Sequence, residues 1–578
     1  MAEKKVNYTL LSQRDEAPPP LQKLRGQKRR IWLWALAGIL ILVVNFTVAI
    51  IQSISDEDDG LVTSNKPGCP QYPPLESSSE ERQKLEIEVR NELSSDAFSN
   101  KSLKKLQGAI QIPTESFDNM GKVGEDSRWD IFADLHAYLK EAFPLVYSRL
   151  DVTAINTYGI LIKWKGSDDS LKPYLFMAHQ DVVPVLPATR DKWTYSPFSA
   201  HFDGRYVWGR GASDCKNNLV GILEAFETLL EKDFIPKRSV MAAFGFDEEI
   251  SGPQGAKFLA AHIEETQGRN SIELIVDEGG LGFKEMYGAL FALPAVGEKG
   301  YHDVTITVET AGGHSSVPPD HSGIGILSQI IAAIEANPYS ANLTPANPYF
   351  TTLQCAAEYG PDMNSNLRKA IKRANGSKAA AKSVANYLAD QDIAQRYLMQ
   401  TSQAIDIISG GVKINALPEK VFAVVNHRIA VESSTSDIKN NLKSVISSEI
   451  LPKFSFSLDA WGDVTGNVSN SSVGRITLAD FDASLEPAPV SPSDTDAYKT
   501  FTGTIKQVFG KNVIVAPSLM TGNTDTKFYW GLTNNIYRFS PVRDDGRANA
   551  HTVDERVGLK EHIEGVQFYT QLILNGDV

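Results

Sequence analysis

Cysteine is scarce: the chain of 578 residues has three, Cys69, Cys215 and Cys355. That excludes a disulfide scaffold. At most one bridge can form, and spacing does not select the pair. Positive charge is also short, with 57 Lys and Arg against 70 Asp and Glu for a formal charge of −13. Residues 1–30 run against this trend, with eight Lys/Arg and three Asp/Glu. Subtracting that +5 from −13 leaves −18 on the rest of the chain. Nucleic-acid binding needs a basic footprint, so no nucleic-acid partner is expected. No internal repeat is visible.

Long apolar runs are absent save one. Residues 31–51 form an uncharged, mostly apolar stretch of 21 residues. As a helix rising about 1.5 Å per residue it would span ~31 Å, enough for a bilayer core. It starts too late for a signal peptide and is followed by no small-x-small cleavage site. Lys28-Arg29-Arg30 should stay cytosolic by the positive-inside rule. The expected layout is a type II single-pass membrane protein: cytosolic tail 1–30, transmembrane anchor 31–51, stalk 52–80, and a fold that is lumenal or extracellular. Sequons at Asn100, Asn342, Asn375, Asn467 and Asn470 are candidate glycosylation sites, with Pro345 disfavouring the second.

The composition of the whole chain is ordinary for a globular protein, 42% hydrophobic and 22% charged, and the chain is too long for a single core. Apolar residues at 219, 220, 222, 223, 226, 229 and 230 have a helical period. Residues 255–265 give a second amphipathic helix. Residues 239–246 and 272–276 read as buried strands. Such alternation implies an α/β fold with a mostly parallel sheet covered by helices on both faces. The texture then changes. Strands over 302–310, 420–429 and 454–458, with helices over 323–336 and from about 436, suggest a smaller α+β lid domain. Residues 338–408, with a helical tract over 379–398, are too long for a connection and read as an insertion. The α/β texture returns and ends in a helix over 561–574. The expected boundaries are catalytic domain 81–297, lid 298–460 and catalytic domain 461–578.

Six acids and imidazoles follow apolar runs or sit beside glycines: His179, Asp214, Glu248, Glu249, Asp277 and His551. In an open α/β sheet, ligands bind outside the carboxyl ends of the strands, so all six could share one edge. Two imidazoles and three carboxylates, one of them bridging, would hold two zinc ions and leave one carboxylate as a base. Asp181, two residues after His179, suits the carboxylate that orients a liganding ring.

The segments that carry these residues, with Gly312-Gly-His314-Ser-Ser-Val-Pro, resemble in order the motif series of the co-catalytic di-zinc metallopeptidases. That family includes aminoacylase, the glutamate-releasing carboxypeptidases and carboxypeptidase S. The resemblance runs from about residue 80 to the C-terminus, and Met177–Val185, Gly300–Asp320, Gly410–Ile429 and the anchor look most like the fungal vacuolar carboxypeptidase S branch. It implies a zinc-exopeptidase-like fold with a lid and dimerisation domain, and two zincs per chain. His179 and Asp277 would bind one zinc, Glu249 and His551 the other, with Asp214 bridging. Cys215, beside Asp214, is then expected to be free, and the Asp214–Cys215 peptide to be cis. Glu248 would be the general base and Asp181 the partner of His179. His314 would help to stabilise the oxyanion, which leaves room for a homodimer. Arg428 would clamp the substrate carboxylate, with Asn415 and the loop at Gly522 also at the substrate. Glu278 is expected only to satisfy loop amides. The other seven histidines (136, 201, 262, 302, 321, 427 and 562) read as structural or solvated.

The resulting expectation is a Gly-X-type carboxypeptidase acting on short peptides in the vacuole membrane and lumen. Lys4, Lys5, Lys23 and Lys28 of the tail would accept ubiquitin for endosomal sorting. The alternative is an N-acyl-amino-acid amidase, which needs the same zincs and the same carboxylate clamp. A non-enzymatic receptor that kept the fold is disfavoured, because every ligand and the base are present.

Overall fold

The computed structural model describes residues 68–77, 79–467 and 474–577. The expected anchor, the four tail lysines and the Asn470 sequon lie outside the described residues. Among the described residues, no helix is long and apolar enough to cross a membrane.

The strands Tyr174–His179, Val240–Gly245 and Leu274–Asp277 are buried at every position, the sign of a sheet covered on both faces. They sit side by side and parallel in an eight-stranded sheet. Ile536–Arg538 continues the parallel run beyond Leu274–Asp277. The flanks are antiparallel: a hairpin of Asp151–Ile155 and Gly159–Trp164 on one side, and Ala295–Glu298 on the other. Ser518–Met520 closes that side parallel to Ala295–Glu298. The sheet is therefore mixed, with four parallel and three antiparallel pairings.

Helix Lys216–Glu231, expected to be amphipathic, is instead buried from Lys216 to Leu230. It packs on strand Tyr174–His179 and under the C-terminal helix Leu559–Asn575. Its polar groups are used internally. Glu224 accepts from Ser102 at 2.8 Å and meets His562 at 3.1 Å.

A second, six-stranded sheet begins at Gly300–Glu309, which pairs antiparallel with Lys420–Ile429 and Arg475–Asp480. Its core face is packed by helices Gly323–Ala336 and Thr435–Val445. Ser322 caps the first, and a Ser434/Asp437 capping box opens the second. The lid boundary expected at residue 460 falls inside this sheet, because strands Asp463–Gly466 and Arg475–Asp480 belong to it. Likewise the insertion ends earlier than 408, since Ser402–Gly410 is the edge strand of the same sheet. The insertion itself is four helices between Pro348 and Leu398, with their own apolar core.

Residues 69–77, expected as stalk, pack onto the fold. Gln71 exchanges hydrogen bonds with Val515 at 2.8 and 3.1 Å, and Tyr72 lies edge-on to Tyr498. Cys69 and Cys355 form a disulfide that ties this segment to the insertion. Cys215 is free and buried.

Candidate active site

His179 ends its strand, Glu248 and Glu249 follow Val240–Gly245, and Asp277 ends Leu274–Asp277. Because these neighbours run parallel, their carboxyl ends open at one edge. Asp214 and His551 arrive from elsewhere. Strand Tyr206–Trp208 pairs with Arg556–Gly558 in a small four-stranded sheet. That pairing sets the loop before Arg556, with His551, against the turn after Trp208, with Asp214. The turn needs Gly211: its φ is +86°, and a Cβ there would stand 2.5 Å from Val182. The Asp214–Cys215 peptide is cis.

Asp214 is the centre. One carboxylate oxygen meets His179 Nε2 at 3.1 Å, and the other meets His551 Nε2 at 3.1 Å. His551 Nε2 also meets Glu249 at 3.0 Å. Asp181 organises this cluster from below. It is fully buried, and its two oxygens accept the backbone N–H groups of Glu248 and Glu249, each at 3.0 Å. Ser116 adds a third bond at 2.7 Å, and His179 Nδ1 lies 3.3 Å from the carboxylate. His179 Nδ1 also bonds to the Asp181 backbone carbonyl at 2.9 Å, so Asp181 orients the ring of His179 through both groups while its carboxylate fixes the backbone that carries the adjacent acids.

The cluster carries more negative charge than its imidazoles offset. Burial raises Glu248 well above the ordinary carboxyl value, with Glu278, Asp525 and Glu249 adding to it. Burial also raises Glu249, and pushes Asp277 up to about 6. His551 is pushed up to about 10 by its bonds to Asp214 and Glu249. His179 is raised too: burial opposes its charge, but Cys215, Asp181 and Asp214 outweigh burial. Asp214 is lowered because the bonds from His179 and His551 outweigh burial.

The residues fit a pair of divalent cations. His179 with Asp214, and Asp214 with Glu249 and His551, each bring ligand atoms within 4.8 Å of one another. Buried carboxylate oxygens of Glu249 and Asp277 have no hydrogen-bond partner, which fits them to take a cation. All these donors are nitrogen or oxygen. Cys215 also stands near His179 and Asp214, but its sulfur accepts the His179 N–H at 3.2 Å and burial raises its thiol, so it supports the His179 backbone.

Glu278 differs from the expectation of a loop-amide partner. After burial, the charges that weigh most on it are Asp214 and His179, so it belongs to the cluster. On Asp277, after burial, the backbone N–H of Glu278 weighs most, and the charges of Glu298 and Arg538 on the next two strands of the sheet follow.

Other expected residues lie apart. His314 and Asn415 come together on a two-stranded ribbon of Gly313–His314 and Ala416–Leu417, where both are exposed. Among the described residues, the side chain of His314 bonds only to Ser316, and none of its bonds reaches the carboxylate cluster. Arg428 lies on the strand Lys420–Ile429. It is half-buried and donates to Asn523 at 2.9 Å. Gly522 has no crowded neighbour, the nearest atom to a Cβ being Met520 at 3.7 Å.

Two supporting groups escaped the sequence reading. Glu555 is fully buried, pairs with Arg210 and accepts the N–H groups of Ser213 and Asp214 at 2.8 and 3.0 Å. An acidic pair three and four residues after His551, Asp554-Glu555, was the available signal. Glu298 and Arg538 form a buried ion pair at 3.0 Å, joined by Thr524 and Thr526. Among the other histidines, His302 meets Asp480 at 2.9 Å and His427 is buried beside the His302 carbonyl.

The chain matches known proteins over this whole region. The model of Peptidase family M20/M25/M40 covers residues 175–575. The chain is 38% identical to an uncharacterized carboxypeptidase of Schizosaccharomyces pombe, over 94% of this chain and 93% of that one. It is 36% identical to carboxypeptidase S of Saccharomyces cerevisiae, over 96% and 97%. It is 32% identical to an N-fatty-acyl-amino acid synthase/hydrolase of Homo sapiens, over 82% and 87%. In fold it is similar to an M20 family metallo-carboxypeptidase of Sulfolobus solfataricus, with a TM-score of 0.55 at 18% identity, over 82% of this chain and 99% of that one. The chain belongs to peptidase family M20/M25/M40, as a metallopeptidase of that family.

Proposed function

We propose that this metallo-carboxypeptidase uses two zinc ions to release the C-terminal residue of short peptides, with Gly-X dipeptides as the simplest substrates. The observation that carries the reading is the Asp214 carboxylate shared between His179 on one side and Glu249 with His551 on the other, beside the half-buried Glu248. His179 with Asp277 or Glu278 would hold one ion, and Glu249 with His551 the other. When bound, two such ions lower the pKa of water and polarise an amide carbonyl. Glu248 takes a proton from the attacking water and delivers it to the leaving amine. Burial raises its carboxyl toward the range such a shuttle needs. Asp181 keeps His179 and the Glu248–Glu249 backbone in place for this. Arg428 reads the free carboxylate of the substrate, a task for which a planar guanidinium is suited.

The relatedness to a fatty-acyl-amino acid hydrolase favours a second reading, N-acyl-amino-acid hydrolysis on the same ligands. Rates on a blocked Gly-Leu dipeptide and on a fatty-acyl leucine, with and without chelator, separate the two. The carboxypeptidase reading expects the dipeptide to be faster and the chelator to abolish turnover. A faster fatty-acyl substrate, or indifference to chelator, would overturn it.

We place the fold in the lumen of a vacuole-like compartment, behind an anchor at residues 31–51. The Cys69–Cys355 bridge supports an oxidising site of folding. Fractionation with protease protection tests the placement, and a fold digested in intact organelles or cells without lysis of the compartment would refute it.

A further inference from the structure

Arg428 is half-buried and makes no ion pair among the described residues. Its guanidinium lies 5.7 Å from the centre of the Tyr301 ring and gives one N–H to the side-chain oxygen of Asn523, at 2.9 Å. The Asn523 amide is oriented at both ends, because its nitrogen donates to the Lys299 carbonyl at 2.6 Å. Lys299 in turn is buried and held on three sides. Its backbone N–H donates to Met520 at 3.1 Å, and its ammonium donates to the carbonyls of Tyr397 and Gln400 at 3.1 and 2.7 Å.

The residues flanking this pivot are equally fixed. Thr524, next to Asn523, donates to Glu298, next to Lys299, at 2.8 Å. Glu298 is locked by Arg538. Asn523 thus sits on a rigid seam between the central sheet and the lid strand that carries Arg428. A neutral amide can hold a guanidinium in place while leaving its charge and its other N–H groups free for an anion. A carboxylate at the same point would pair with the guanidinium and satisfy it internally.

We propose that Asn523 is a positioning residue that sets selectivity for substrates with a free carboxylate, by aiming Arg428 without neutralising it. This rests on the reading of Arg428 as the carboxylate clamp, and goes beyond it by assigning the partner that keeps the clamp open. The neutrality of residue 523, rather than its bulk, is the requirement.

The test compares Asn523→Asp and Asn523→Ala with wild-type holoenzyme, on a blocked Gly-Leu dipeptide and on the same dipeptide amidated at its C-terminus. Asn523→Asp should lower kcat/KM for the free acid by ~10–10²-fold, chiefly through KM, and change the slow amide reaction by less than about threefold. Asn523→Ala should cost less, ~3–10-fold on the free acid, because the guanidinium loses its aim but keeps its charge. Melting temperature and metal content should match wild type for at least one of the two variants, which keeps the comparison interpretable. Equal losses for Asp and Ala on the free acid, or equal losses on acid and amide, would overturn the proposal. Arg428→Ala distinguishes the underlying reading: if it alone spares the amide, the clamp stands and Asn523 does not tune it. If Arg428→Ala also harms both substrates equally, the clamp itself fails.

Discussion

Glu248→Gln tests the chemistry with little collateral change. The Glu248 backbone N–H, not its side chain, is what Asp181 holds at 3.0 Å, so the substitution keeps that bond and the placement of Glu249. Gln has the same shape and no charge, so it also relieves some of the repulsion that, after burial, raises Glu248. Stability and metal content should therefore be unchanged. An amide cannot accept the proton from water. General base catalysis is worth ~10²–10⁴-fold, or ~2.7–5.4 kcal/mol of barrier. Steady-state rates on a blocked Gly-Leu dipeptide should show that loss in kcat with KM nearly constant. The acid limb of the wild-type pH profile should also vanish from the residual rate, because Gln does not titrate. The measurement needs kcat, KM and metal per chain on the same preparation. A variant within tenfold of wild type with its metal intact would show that Glu248 is not the base.

Asp214→Ala should lose metal, since both ligand sets share this carboxylate; two ions retained per chain by elemental analysis would refute its bridging role. His427 is pushed down to about 4, first by burial, so the unfolded chain binds more protons than the folded one between about pH 6.5 and 4. Stability should fall as pH drops through that window, by ~3 kcal/mol in the limit, and His427→Gln should flatten the fall in denaturant midpoints; an unaltered pH dependence would contradict this. Cys69→Ser opens a bridge spanning 286 residues and should cost ~2–5 kcal/mol, read as a lower denaturant midpoint; no shift would mean that the packing of residues 69–77 holds without it.

Much of the fold and site was legible because it is written in short-range pattern. Buried runs of apolar residues mark the strands, and the acids and imidazoles that follow them mark the sheet edge. Helix Gly323–Ala336 and strand Lys420–Ile429 were readable to the residue from period alone. What pattern could not supply was partnership. The strand Arg475–Asp480 carries no mark of the sheet it joins, since pairing with Gly300–Glu309, from Glu309 with Arg475 to Val304 with Asp480, is decided by packing between segments far apart in sequence. Helix Lys216–Glu231 looked amphipathic because its polar residues are real, but Lys216, Asn218, Glu224 and Glu227 find partners on distant elements.

At the site the same division holds. The sequence by itself singled out the residues expected as ligands and base: His179, Asp214, Glu248, Glu249, Asp277 and His551. Only the tertiary structure decided what surrounds them. It set Glu278 among the carboxylates, put Glu555 under the Asp214 turn, and drew His314 and Asn415 onto an exposed ribbon. It also chose Cys69 and Cys355 as the bridge, and set Arg428 against Asn523, neither pair being near in the chain. The physical reason is the range of the forces. Strand and helix periods are local and survive in the sequence as spacing. Ion pairs, hydrogen bonds and disulfides need atoms within a few ångströms, and only the folded backbone supplies that proximity.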